Sequence, residues 1–256
     1  MGWRRALWYL RRPAFWQHGL ALIGHRVGGT EQSDAARAKA TAWADSVAID
    51  AQAALAAVGI QVLGDHLPKV PPVLLEEGRQ RAARVDVRMG GAADVNLLYA
   101  ATILARPHSV VETGVALGWS SLAILAALRR NGSGRLVSVD MPYPRRKNEP
   151  WVGAVVPDAL RAGWQLIRLP DRPGVKRAIR AVGGSIDLAH YDSDKSYQGR
   201  MYAYPLLWKA LAPGGLLISD DVQDNFAFRE FCVRRGIGFH IIRSGNKFAG
   251  IARKPS

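Results

Sequence analysis

The chain has 256 residues, is 48% hydrophobic and carries a formal charge of +14, from 35 Lys and Arg against 21 Asp and Glu. That length and apolar content suit one domain with a sizeable core plus an extension, and the single cysteine, Cys232, excludes a disulfide framework or a cysteine metal site. No apolar run reaches the length of a membrane span, and the arginines spread through the first 30 residues are unlike a secretory signal, so a cytoplasmic location is expected.

Residues 1–30 carry five arginines (Arg4, Arg5, Arg11, Arg12 and Arg26) and no acid, interleaved with Trp3, Trp8, Tyr9, Phe15 and Trp16. On a helix, Trp3, Ala6, Leu7 and Leu10 form one apolar stripe flanked by arginine pairs, until Pro13 ends the pattern. Such an arm suits packing on its own domain or on a second copy of the chain. Contact with phosphates, or peripheral contact with an anionic membrane through residues 1–26, is the lesser alternative. Next, the alanine-rich residues 40–58, with Trp43, Val47, Ile49 and Leu55, predict one helix ending near Gly59. Residues 64–72 read as a loop, 74–84 as a second helix, and 96–104 as a third that follows Gly90-Gly91.

The stretch 110–121, V-V-E-T-G-V-A-L-G-W-S-S, predicts a strand emptying into a glycine turn and then a helix. Residues 109–112 suit a buried parallel strand. Gly114 and Gly118 lack a Cβ, so the chain can turn sharply and admit a ligand closely before Ser120, near the start of a helix over 121–129. Asn131-Gly132-Ser133-Gly134 stops that helix, and 136–139 predicts a second strand whose terminal Asp140 is suited to accept both hydroxyls of a ribose. The spacing is G-x-x-x-G and not G-x-G-x-x-G, which points away from a dinucleotide.

Three more strands are predicted. The first, over 164–169, leads into the turn L-P-D-R-P that contains Asp171. Another, over 185–191, contains His190 and is followed by Asp192-Ser193-Asp194-Lys195. A helix over 200–211 and the turn Ala212-Pro213-Gly214-Gly215 then precede a strand over 216–219 that ends in Asp220-Asp221. Acids at strand carboxyl ends sit where open α/β sheets bind ligands. Asp192, Asp220 and Asp221 are hard oxygen ligands for Mg²⁺ or a similar ion, and the alternative is that they pair with arginines or cap the next helix. Like charges converging there are costly without a cation. A helix over 227–235 and two runs, 239–242 and 247–253, about Ser244-Gly245-Asn246 complete the chain as an antiparallel hairpin. A second basic cluster, comprising Arg145, Arg146, Lys147, Arg161, Arg168, Arg172, Lys176, Arg177 and Arg180, reads mostly as solvated surface.

The acid and G-x-x-x-G-x-S of Glu112, Gly114, Gly118 and Ser120, with Asp140 on the next strand, resemble the first motifs of the class I S-adenosylmethionine-dependent methyltransferases. With D-S-D-K at Asp192 and D-D at Asp220, the chain from about Gly91 onward most resembles the cation-dependent O-methyltransferases of catechol, caffeoyl-coenzyme A and macrolide-sugar type. The resemblance implies an α/β, Rossmann-like methyltransferase fold, with a seven-stranded, mostly parallel sheet in the order 3-2-1-4-5-7-6. A terminal antiparallel hairpin closes that sheet and an N-terminal helical extension precedes it. Residues 1–89 would then be a basic arm and helical cap, and 90–256 the S-adenosylmethionine-binding domain.

The same resemblance implies S-adenosylmethionine held by Gly91, Glu112, Gly114, Gly118, Ser120, Asp140 and Asp171, and Mg²⁺ or another divalent cation held by Asp192, Asp220 and Asp221. It implies Lys195 as general base, with Asp194 in that role in sugar-modifying relatives, and His190 as a third candidate that is also an ordinary strand histidine. Asp221 stands where catechol-type enzymes carry Asn. This shifts the expected acceptor toward a hydroxyl of a sugar, polyol or other natural product, with a phenol still open. The expected partners are a small hydroxylated acceptor and a second copy of the chain in a homo-oligomeric dimer. Nucleic acid is not expected, because base-methylating enzymes carry N/D-P-P-Y/F where this chain has D-S-D-K. RNA methylation through the basic surface and a non-catalytic accessory role are the alternatives.

Overall fold

Ser33 starts the first long helix, α1 (Asp34–Val47), by accepting from the Ala36 N–H. The computed structural model describes residues 12–15, 33–62, 64–142 and 148–256. Apart from a short 3-10 turn at Pro13–Phe15, the predicted N-terminal arm therefore lies outside the described residues, as do Arg145, Arg146 and Lys147.

The single helix predicted over 40–58 is interrupted. Ala48 and Ile49 leave the helix as a short strand, β1 (Ala48–Ile49), that pairs in parallel with Ile241 and Ile242. Asp50 then caps α2 (Ala51–Ala57) by accepting from the Ala53 N–H. The partners of β1 lie near the other end of the chain, so local periodicity carries no sign of the break. Helix α3 (Pro72–Ala82) opens on a proline, and Asp94 caps α4 (Val95–Ala105) by accepting from the Asn96 and Leu97 N–H groups.

From there strands and helices alternate: β2 (Ser109–Thr113), α5 (Trp119–Asn131), β3 (Arg135–Val139), α6 (Asp158–Arg161), β4 (Trp164–Ile167), α7 (Asp171–Ala181), β5 (Ile186–Tyr191), α8 (Tyr197–Ala210), β6 (Leu211–Ser219), α9 (Ala227–Val233), β7 (Phe239–Ser244) and β8 (Lys247–Arg253). They form one sheet in the order β1-β7-β8-β6-β5-β2-β3-β4. The seven expected strands stand in the expected order, β8 running antiparallel between β6 and β7, and β1 adds an eighth at the edge. The turn predicted at Ala212–Gly215 lies inside β6. Its pairing with β5 slips between Ile186 and Leu188, Gly214 takes a φ of 76°, and Gly214 and Gly215 exchange backbone bonds with Lys254. A bulge absorbs the glycines without ending the strand.

Side chains alternate across the sheet and build a core on each face. Val110, Leu188, Leu216 and Ile218 point to a cluster with Leu97, Leu98, Leu122 and Ile124 of α4 and α5. Val111, Ala189 and Leu217 point to the other, with Val175 of α7, Tyr204 and Leu207 of α8, and Phe228 and Phe231 of α9. Each large buried side chain contributes roughly 1.5–3 kcal/mol. That framework fixes the strand ends. The chain runs from β2 outward through β3 and β4, then returns to β5 on the other side of β2, so the β2/β5 junction is the topological switch point.

Candidate active site

The glycine turn sits at this switch point. Gly114 has a φ of 81°, and a Cβ built on it would overlap the backbone carbonyl of Asp192, so the ends of β2 and β5 approach as closely as a glycine allows. Gly118, with a φ of 93°, begins α5, and a Cβ there would lie 2.9 Å from the Gly153 Cα. The ladder continues past the strands, with Gly114 N donating to Val139 O, Asp192 N to Thr113 O and Asp220 N to Tyr191 O. A cavity of about 390 Å³ opens above these ends. Gly91, Gly114, Ser120, Asp140 and Asp171 line it, as do Asp192, Asp194 and Lys195. Gly118 does not line it and packs against Gly153 and Val156.

Glu112 and His190 do not line the cavity. Glu112 is fully buried, and its Oε2 accepts from Ser121 Oγ and Ser138 Oγ, both at 2.6 Å. Its Oε1 lies 3.6 Å from His190 Nδ1, and neither of these two buried atoms has a hydrogen-bond partner. Burial opposes charge on the imidazole, yet Glu112, Asp192 and Asp220 outweigh it and push the His190 pKa up. Glu112 ties β2, β3 and α5 together beneath the cleft, and His190 lies buried beside it on β5.

Asp140 is 6% exposed, with Oδ2 3.0 Å from an Arg168 nitrogen. Burial raises its pKa to about 6 against the opposing pull of Arg168. The same guanidinium donates to the Asp140 carbonyl at 2.9 Å and to both carboxylate oxygens of Glu149. Arg168 was expected on solvated surface; it is instead the clamp that orients Asp140. Asp171 is the first residue of α7, and its Oδ2 lies 2.5 Å from Ser193 Oγ and 3.3 Å from the Tyr191 hydroxyl. Burial raises its pKa to about 6 as well.

Beside this cleft, Asp192, Asp220 and Asp221 each offer an oxygen within 4.8 Å of the others. Asp192 Oδ1 and Asp220 Oδ2 are buried without a hydrogen-bond partner. Three hard oxygens, two of them buried with an ammonium nearby but no hydrogen bond, fit a divalent cation such as Mg²⁺. Burial, together with the neighbouring carboxylates, raises the pKa of Asp192, and raises that of Asp220 to about 6. Burial acts on Asp221 too, but its pairing with Lys195 wins and lowers its pKa. The Lys195 ammonium also lies 3.5 Å from Asp192 Oδ1, and these carboxylates overcome burial to raise its pKa. Asp194 Oδ1 accepts from the Ser196 N–H at 3.0 Å, just before α8.

Two further residues complete the site without a local sequence sign. Lys247, at the start of β8, places its ammonium 3.4 Å from Asp221 Oδ1, 3.8 Å from Asp220 Oδ2 and 3.4 Å from the Ala92 carbonyl. Arg200 lies buried behind the carboxylates with its guanidinium on the backbone of Asp220 and Asp221.

A mostly parallel sheet with a cleft of about 390 Å³ at its switch point, a glycine turn below and an acid at the next strand end, has the arrangement in which open α/β sheets bind ligands. Residues 111–222 match the family model described as a methyltransferase domain. No curated protein matches the sequence. Among solved structures, the chain is similar to the O-methyltransferase from Bacillus cereus in complex with SAH (S-adenosylhomocysteine), at 14% identity and a TM-score of 0.58, over 82% of this chain and 100% of that one. It is similar to a methyltransferase from Geobacter sulfurreducens at 22% identity and a TM-score of 0.54, over 73% and 92% of the two chains. The O-methyltransferase TomG from Streptomyces achromogenes, involved in tomaymycin synthesis and in complex with SAM, matches at 17% identity and a TM-score of 0.55, over 79% and 96%. The chain has the methyltransferase fold.

Proposed function

We propose that the chain is an S-adenosylmethionine-dependent O-methyltransferase that uses a divalent cation to methylate a hydroxyl of a small acceptor, a sugar, polyol or other natural product. The observation that carries this reading is that Asp192 belongs both to the cofactor-sized cavity and to the carboxylate cluster, so the two sites share a wall. When bound, S-adenosylmethionine would supply the electrophilic methyl group and the cation would lower the pKa of the acceptor hydroxyl.

The chain's own residues do the rest. Asp140, oriented by Arg168, presents a carboxylate suited to a ribose diol, and the Gly91 and Gly114 backbone lets the cofactor lie close. Asp192, Asp220 and Asp221 would hold the cation. Asp194 and Lys195 stand at the cavity wall beside them, where an acceptor hydroxyl must give up its proton. Lys195 is engaged by Asp192 and Asp221, so we assign the proton to the Asp194 carboxylate at the same wall. The extra charge of Asp221, in place of an amide, supports a saturated polyol over a catechol.

The test is transfer of labelled methyl from S-adenosylmethionine to a panel of sugars, polyols and phenols, with and without EDTA. Transfer to a saturated hydroxyl that EDTA abolishes is expected. Transfer unaffected by EDTA removes the cation from the mechanism, and methylation of RNA but of no small acceptor overturns the substrate class.

A further inference from the structure

Arg200 enters α8 one turn after Ser196, and only 1% of it is exposed. Its guanidinium fans out over five acceptors. These are the carbonyls of Asp220 at 3.1 Å and Asp221 at 2.9 Å, Ser219 Oγ at 3.2 Å, the Tyr204 hydroxyl at 2.9 Å and, through Nε, the Lys195 carbonyl at 3.4 Å. No carboxylate is among them. A buried arginine whose hydrogen bonds all go to neutral acceptors is costly to keep, so what it holds matters. It holds the backbone of two of the three candidate cation ligands and of the lysine that pairs with them. Asp221 has a φ of 51° and a ψ of 38°, a left-handed conformation that a residue with a side chain adopts only when its surroundings hold it. The Asp221 carbonyl accepts the shortest bond of the fan to backbone, which ties that conformation down.

We propose that Arg200 is a positioning residue of the cation site. Resting on the metal reading above, it sets the carboxylates of Asp220 and Asp221 at the separation one cation needs, by fixing their backbones from behind. It touches neither cation nor acceptor. Lysine cannot take this role, because a single ammonium cannot span acceptors on three segments as a planar guanidinium does.

The sign of one effect separates this role from simple charge. A guanidinium that acted only through its charge would repel a divalent cation, and its removal would tighten binding. A guanidinium that positions the ligands would leave binding weaker when removed. Mn²⁺ and S-adenosylhomocysteine are titrated separately by calorimetry into the wild-type protein, Arg200→Met and Arg200→Lys. Mn²⁺ affinity at least tenfold weaker in both variants is expected, with S-adenosylhomocysteine affinity within twofold of wild type. Unchanged or tighter Mn²⁺ binding overturns the proposal, and so does an equal loss of both ligands, which would mean a general collapse. Should Arg200→Met fail to fold, Ser219→Ala removes one anchor of the guanidinium, and Mn²⁺ binding about threefold weaker is expected. Binding unchanged in that variant overturns the proposal. A wild-type protein that binds S-adenosylhomocysteine but no Mn²⁺ overturns the metal reading itself, and the role of Arg200 with it.

Discussion

The ammonium of Lys195 pairs with the carboxylate of Asp221 across the adjacent ends of β5 and β6, and Lys247 lies 3.4 Å from the other oxygen of that carboxylate. Asp194, one residue away from this pairing, keeps a carboxylate at the wall of the cavity. Asp194→Asn should therefore lower kcat by about 10²–10⁴, the usual range for loss of a general base. Lys195→Met should lower kcat less, by about tenfold, because it removes a partner of Asp221 and not the proton acceptor. Steady-state kinetics with both variants decide this, and the reverse ranking would assign the base to Lys195.

Asp220 carries a stability cost that follows from its place among carboxylates. Burial, then Asp192 and Asp221, raise its pKa from 3.8 to about 6 in the folded protein. The folded state thus binds more protons than the unfolded chain between those values, and metal-free stability falls as pH rises through that window. Asp220→Asn should make the metal-free protein more stable by about 1–3 kcal/mol at pH 7.5, a gain that shrinks as pH approaches 4. The same variant should lose Mn²⁺ binding. Urea denaturation at both pH values, with and without Mn²⁺, measures each part.

Asp140 gives the cofactor cleft a pH limit. Its pKa of about 6 means that the carboxylate is ionised at pH 7.5 and mostly protonated at pH 5. If the ionised form accepts the ribose hydroxyls, S-adenosylhomocysteine affinity should fall about tenfold between those pH values. Because Arg168 lowers that pKa, Arg168→Met should move the fall to higher pH. Calorimetry across pH 5–8 shows both effects, and a flat profile in the wild type would remove Asp140 from the contact.

Two glycines of the cleft should behave oppositely. Gly114→Ala forces a side chain into a positive φ and onto the Asp192 carbonyl, and should destabilise the protein by about 2–4 kcal/mol. Gly91→Ala meets nothing within 4 Å and should leave stability within about 0.5 kcal/mol, so any loss of cofactor binding there reports the ligand and not the fold. Thermal denaturation of the two variants makes the comparison.

Strand ends were the legible part of this chain. Gly114, Asp140, Asp192, Asp220 and Asp221 each follow an apolar run of strand length, and residue type at a strand end says much about chemistry there. What escaped were groups whose role is set by partners far along the chain. Arg168 reads as surface charge in sequence and Arg200 only as the start of a helix, because bonds to the Asp140 carboxylate or to the Asp220 and Asp221 carbonyls leave no local pattern. Lys247 arrives at the site only because β8 pairs antiparallel with β6. Glu112 matched the motif but turned inward, since Ser121 and Ser138 offer it two hydroxyls beneath the sheet. Ile49 shows the same limit in the fold, where two ladder pairs with β7 outweigh the helical pattern around it.

In the proposed function, the cleft over Gly114 and Asp140 takes the methyl donor while the adjoining carboxylates take a cation. Calorimetric titration of S-adenosylhomocysteine, with and without Mg²⁺, tests it most directly. One-to-one binding that Asp140→Ala abolishes, together with Mg²⁺ binding that Asp192→Ala abolishes, is the predicted result. No heat from S-adenosylhomocysteine under either condition would contradict the account.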